Sequence, residues 1–128
     1  MTLHVALVVP DRELWSGEAR IVIAKTTEGD IGVLTGHSPV FGILAEGSVV
    51  EILTDDSSVR AAVSGGFLSV ANDQVSILAA QAQLGVEVDV EQARRELAAA
   101  MAVTPPGGEE TAEAKYAKAL LRAAGDQA

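Results

Sequence analysis

The chain has 128 residues, the size of one ordinary domain or of one domain with a short appendage. Apolar residues make up 48% of it and aromatics only 3%, so a core is possible but must be built from Val, Ile, Leu and Ala. Eighteen acidic against nine basic residues leave a net charge of -9, which excludes the electrostatic footprint of a nucleic-acid binder and argues against adhesion to anionic lipid through a basic patch. The absence of cysteine excludes disulfides, thiolate metal sites and a cysteine nucleophile. The start carries no basic segment leading into an apolar run, and no stretch approaches the roughly 20 apolar residues that span a bilayer. The expectation is a soluble intracellular protein.

The first strand is predicted at residues 3–9, where Leu3, Val5, Leu7 and Val9 alternate with Thr2, His4, Ala6 and Val8 at the period of two that a strand requires. Leu14-Trp15-Ser16-Gly17 reads as a turn in the connection that follows, with Trp15 as an anchor beneath it. Further strands are predicted at 20–27, 31–34, 41–45, 48–54, 58–63, 67–71 and 75–79. Asp55-Asp56-Ser57 and Asn72-Asp73 supply turn chemistry between neighbouring runs. Residues 29–39 hold three glycines, a histidine and a proline within one connection, which reads equally as a loop needing positive φ or as a rigid exposed loop presenting Asp30 and His37 to a partner. Gly65-Gly66-Phe67-Leu68-Ser69-Val70 fits a bend or bulge that feeds a buried strand.

Near Gly85 the composition changes from Val and Ile with turn residues to Ala, Glu, Arg and Leu. The predicted fold class is therefore an N-terminal antiparallel β-sandwich, residues 1–84, followed by a two-helix antiparallel hairpin, residues 85–128. Asp89 is the expected cap of the first helix, whose apolar positions are Ala93, Leu97, Ala100 and Met101. Pro105-Pro106-Gly107-Gly108 stops it. A second helix is expected from about Glu109, with Tyr116, Leu120 and Ala124 as its apolar stripe, cations (Lys115, Lys118, Arg122) toward its end and Gly125 as its stop. Alanine buries little area, so such a hairpin needs another surface to pack on.

The chain carries no catalytic constellation. Its two histidines, His4 and His37, lack metal-ligand spacing, and no GxSxG, Walker A or GxGxxG run is present. Carboxylate pairs such as Asp55-Asp56 or Glu109-Glu110 fall in turns or at a helix start, where solvated carboxylates cap backbone rather than catalyse. No enzyme activity, cofactor or metal is expected.

The 29–39 segment, the Gly-Gly-Phe-Leu-Ser-Val segment, the Leu14-Trp15-Ser16-Gly17 turn and the order of strands then two helices together resemble the epsilon subunit of bacterial F-type ATP synthases. The resemblance covers nearly the whole chain; Thr35 departs from it, standing where the family often has proline. It implies a non-catalytic rotor subunit, peripheral at the cytoplasmic face of the cell membrane and touching the membrane only through its complex. Its implied partners are the gamma subunit of the central stalk, the polar loops of the c-ring facing Asp30 and His37, and the catalytic head, which Lys115, Lys118 and Arg122 would meet if the hairpin extends to inhibit hydrolysis. Some members bind ATP through Ile/Leu-Asp-x-x-Arg-Ala. Here the matching stretch is Val88-Asp89-Val90-Glu91-Gln92-Ala93, which keeps Asp89 and Ala93 as a remnant but has Gln92 for the arginine. The competing reading is a stand-alone β-sandwich that binds a small ligand or peptide.

Overall fold

The structure, a computed structural model, describes residues 2–103 and 107–125. Ten strands come first: β1 Leu3–Val9, β2 Arg12–Ala19, β3 Ile21–Thr26, β4 Gly29–Val33, β5 Val40–Leu44, β6 Ser48–Leu53, β7 Ser58–Val63, β8 Gly66–Ala71, β9 Gln74–Ala79 and β10 Ala82–Leu84. A single 3-10 turn, Gly85–Glu87, leads to helices α1 (Val90–Ala102) and α2 (Ala112–Ala123).

The strands form two leaves. One runs β10-β7-β6-β3 with β4 beside β3, and the other runs β5-β8-β9-β1-β2. They join through the pair Thr26↔Leu44. All pairings are antiparallel except β1 with β9. The inward side chains of both leaves make one core, including Leu3, Leu7, Val22, Ile52, Leu68 and Ile77. The alternation read in β1 is the one observed, with Leu3, Val5, Leu7 and Val9 all buried.

The expected turn at Leu14-Trp15-Ser16-Gly17 is instead strand β2. Leu7 pairs with Trp15 and Val8 with Glu13, so Leu14 is the extra residue of a bulge, and the bulge breaks the alternation that would have marked a strand. The strand expected at 31–34 is β4, which starts two residues earlier and pairs along β3, so of residues 29–39 only the part from Leu34 onward is the expected loop. The Asn72-Asp73 turn is present with φ of 52° and 61°, the left-handed pair that a tight hairpin needs.

The hairpin lies on the outer side of the first leaf. α2 rests on β6, β7 and the 3-10 turn, and α1 packs on α2. β7 shows how one strand serves two cores. Ala61 and Val63 point into the sandwich, while Ala62 points out into a second apolar cluster with Ala93, Ala119, Leu120, Leu121 and Ala123. The surface that an alanine-rich hairpin needs is thus the back of the sheet.

Asp89 caps α1 as expected, its carboxylate accepting from the Gln92 N–H at 3.1 Å. α2 begins later than expected. Thr111 caps it by accepting the Ala114 N–H, so Glu109 and Glu110 precede the helix. Its buried face is broader than the expected stripe, taking in Ala114, Ala117, Leu121 and Ala123 with Leu120. On α1, Met101 is exposed rather than packed. Gly125 follows α2 with φ 89° and donates to the Arg122 carbonyl, the expected stop. The expected stop of α1 at Pro105-Pro106 lies outside the described residues.

Candidate docking surfaces

The two outer faces of the sandwich differ. The hairpin covers the first. The second, on β5, β8, β9 and β1, is open and apolar. Register places Ile43 opposite Phe67 and Phe67 opposite Leu78, with Val8 opposite Leu78, giving an apolar row across four strands. Phe41 lies beside this row and stacks on Phe67 with ring centroids 5.3 Å apart. Exposures of 65% for Phe41, 53% for Ile43, 45% for Phe67 and 46% for Leu78 put these side chains in water. The chain has two phenylalanines. Both are on this face, and neither belongs to the core. A contiguous exposed apolar patch of this kind marks an interaction surface. Alternation could not find it, because β5 reads Val-Phe-Gly-Ile-Leu, apolar on both faces.

The predicted partner-binding residues divide differently from their sequence positions. Asp30, Lys115, Lys118 and Arg122 come together with Lys25 and Arg60 around one cleft of about 410 Å³ between β3–β4, the β5–β6 turn and α2. Five of the chain's nine cations line it. Lys118 forms an ion pair with Glu110, and the Arg122 Nε–H points to the Lys118 carbonyl at 3.4 Å. Arg60 pairs with Glu51 at 3.6 Å. The α2 cations thus line the side of the helix next to the sandwich.

His37 lies elsewhere. Asp30 is near the β3–β4 turn and opposite Lys25, whereas His37 follows the far end of β4. There the His37 N–H donates to the Leu34 carbonyl at 3.1 Å, closing a turn with Gly36 at φ 82°. The Gly36 N–H donates to Asp73 Oδ1 at 2.7 Å, so the β8–β9 turn braces this loop. The structure does not bring Asp30 and His37 together. His4 is exposed on β1.

Asp89 and Ala93 are occupied structurally, one as the α1 cap and the other buried in the hairpin core. Among the described residues no group of three or more His, Asp or Glu side chains could hold a metal ion, and no helix is long and apolar enough to cross a membrane.

A two-leaf sandwich with one outer face open and apolar and a helical hairpin on the other is the architecture of a docking protein. Residues 2–85 match the family model for the ATP synthase delta/epsilon chain β-sandwich domain, and the chain belongs to that family. It is 49% identical over 121 residues to the ATP synthase epsilon chain of Streptomyces avermitilis, covering 94% of each chain. It is 51% identical over 125 residues to that of Thermobifida fusca, covering 95% of this chain and 91% of the relative. Its fold is similar to a chain of the Euglena gracilis mitochondrial ATP synthase at a TM-score of 0.76, with 23% identity over 97% of this chain and 79% of that one. These matches do not favour a stand-alone ligand module. The chain is a non-catalytic, epsilon-type ATP synthase subunit.

Proposed function

We propose that the chain is a coupling element at the foot of the central stalk, seated on the gamma subunit through the open apolar face of β5, β8 and β9. The observation that carries this is the stacked, exposed Phe41–Phe67 pair in a family of stalk subunits. A face of this kind loses free energy in water and regains it against a partner. A sandwich suits torque transmission because close packing and paired ladders resist shear.

In this reading Asp30 and His37 present two corners of the sandwich to the polar loops of the c-ring, at the cytoplasmic face of the cell membrane, and the chain meets the membrane only through its complex. The hairpin is the regulatory element. Docked, it turns Lys115, Lys118 and Arg122 toward the cleft; released, it frees them for acidic surface on the catalytic head, where they would restrain ATP hydrolysis. The division of labour is a rigid docking domain over residues 1–84 and a movable one over 85–128.

The test is deletion of all residues beyond Val88 in the assembled enzyme. Assembly on gamma is expected to survive, since the apolar face is untouched, and ATP hydrolysis is expected to rise. Loss of assembly would place the stalk contact on the hairpin and overturn the reading.

A further inference from the structure

The hairpin meets the sandwich backbone to backbone at two glycines. Gly85 opens the 3-10 turn after β10, and a Cβ built there would collide with the Ala123 carbonyl oxygen and lie 3.3 Å from that of Arg60. Gly47, in the turn between β5 and β6, would collide with the main chain of Lys115. Lys115 and Ala123 lie toward opposite ends of α2, and eight residues of helix separate the two contacts by about 12 Å. Between them the interface is made of small and medium side chains, Ala119, Leu120 and Ala123 against Val49 and Ala62.

We infer that Gly47 and Gly85 form a two-point seat that holds α2 on the sandwich, and that Gly85 sets the balance between docked and released hairpin. The inference rests on the reading of the hairpin as the movable element. The obstructing atoms are backbone, so no rotamer change can absorb an added side chain; the helix end must move. The two positions differ in one respect. Gly47 has φ of 58°, so the turn itself favours glycine there. Gly85 lies outside the left-handed region, so alanine suits its backbone, and what opposes the alanine is the carbonyl of Ala123 with that of Arg60 behind it.

The molecule carries its own reporter. Trp15, the single tryptophan, lines an apolar cavity of about 300 Å³ together with Leu84, Gly85, Ala123 and Ala124. The pocket is partly open to solvent, and lifting the end of α2 removes its Ala123–Ala124 wall and uncovers more of the indole.

The experiment uses the full chain with Gly85→Ala. Amide exchange along α2 is expected to accelerate by about 10- to 100-fold. Trp15 becomes more accessible to acrylamide, while the slow amides of Leu7 and Ile77 in the sandwich core keep their protection. Unchanged α2 exchange with unchanged Trp15 quenching overturns the inference. If the strand amides accelerate as well, Gly47→Asn decides, since asparagine tolerates the left-handed region. Selective loss of α2 protection in that variant supports the seat; full retention overturns it, and so does loss of strand protection in both variants. Hydrolysis by assembled enzyme carrying Gly85→Ala separates this from the regulatory reading. A freed hairpin with unchanged hydrolysis contradicts regulation and leaves the seat standing.

Discussion

Replacing Phe41 and Phe67 together by serine should abolish docking while leaving the isolated chain folded. An aromatic side chain offers about 200 Å² for burial. With Phe41 65% and Phe67 45% exposed, a partner can cover about 130 and 90 Å² of them. At about 25 cal/mol per Å², these areas correspond to about 3 and 2 kcal/mol of interface burial. Losing both weakens binding by nearly four orders of magnitude, since each 1.4 kcal/mol is about tenfold. The folded chain alone already covers about 70 and 110 Å² of the two rings, so it loses at most about 4 kcal/mol, the ring stacking of about 0.5–1.5 kcal/mol included, and melts at a lower temperature in one cooperative step. Calorimetric titration of purified gamma subunit measures the first effect and thermal unfolding of the free chain the second. Binding unchanged within threefold would remove this face as the stalk contact. A collapse of the melting transition would show that the two rings belong to the core.

Three further outcomes follow from the same structure. Asp30→Ala with His37→Ala should leave the chain folded, both side chains lying at the surface, and lower the ratio of proton pumping to hydrolysis in reconstituted enzyme; an unchanged ratio refutes a ring contact at these corners. ATP with magnesium should bind the isolated chain about 10- to 100-fold more weakly than it binds a relative with arginine at position 92, because a neutral glutamine cannot make the charge-assisted contact of a guanidinium with phosphate; micromolar binding by calorimetry refutes this. Burial of the Tyr116 phenol, with the Glu96 carboxylate beside it, raises its pKa above the ordinary 10.0. The folded hairpin therefore favours the neutral phenol, its contribution is complete below pH 10.0 and is lost as pH climbs through the raised value, so helical circular dichroism should fall in that range in the wild type and persist in Tyr116→Phe.

The elements that alternate cleanly were legible in the residues. β1 is the clearest, because each inward position is apolar and buried. β2 was not, for a definite reason: it is a bulged strand at the end of its leaf with Leu14 out of register, and its outward charges leave no period of two. β10 has three residues, too few for any period. The late start of α2 turns on one hydroxyl, since Thr111 competes with Glu109 and Glu110 for the cap and only Thr111 accepts the Ala114 N–H. The open face was hidden because β5 is apolar on both sides and β8 sets Phe67 outward beside inward Leu68, and periodicity cannot say which side a second leaf will cover. The meeting of Asp30 with Lys115, Lys118 and Arg122 has no local signal at all. More than eighty residues separate them in sequence, and only the docking of α2 on the first leaf joins them.

The chemistry of the two outer faces also says which contact can be permanent and which reversible. The open face carries two phenylalanines, an isoleucine and a leucine, side chains whose full burial is worth about 1.5–3 kcal/mol each. The hairpin face is dominated by alanine: Ala62 on the sheet meets Ala119 and Ala123 on the helix, with Leu120 and Leu121 as the larger members. A buried methyl contributes only about 0.8 kcal/mol, so this contact depends on close approach of main chains, which Gly47 and Gly85 permit. An interface made strong by proximity rather than by area is sensitive to small displacements. A gap of about one ångström forfeits up to about half of the dispersion attraction of any packed atom; an alanine contact has little else, whereas a phenylalanine still keeps a large area from water. The proposed function, a subunit that stays seated while its hairpin comes and goes, calls for that contrast, and the sequence places its stacked phenylalanines and its close-approach glycines on opposite sides of the same sandwich.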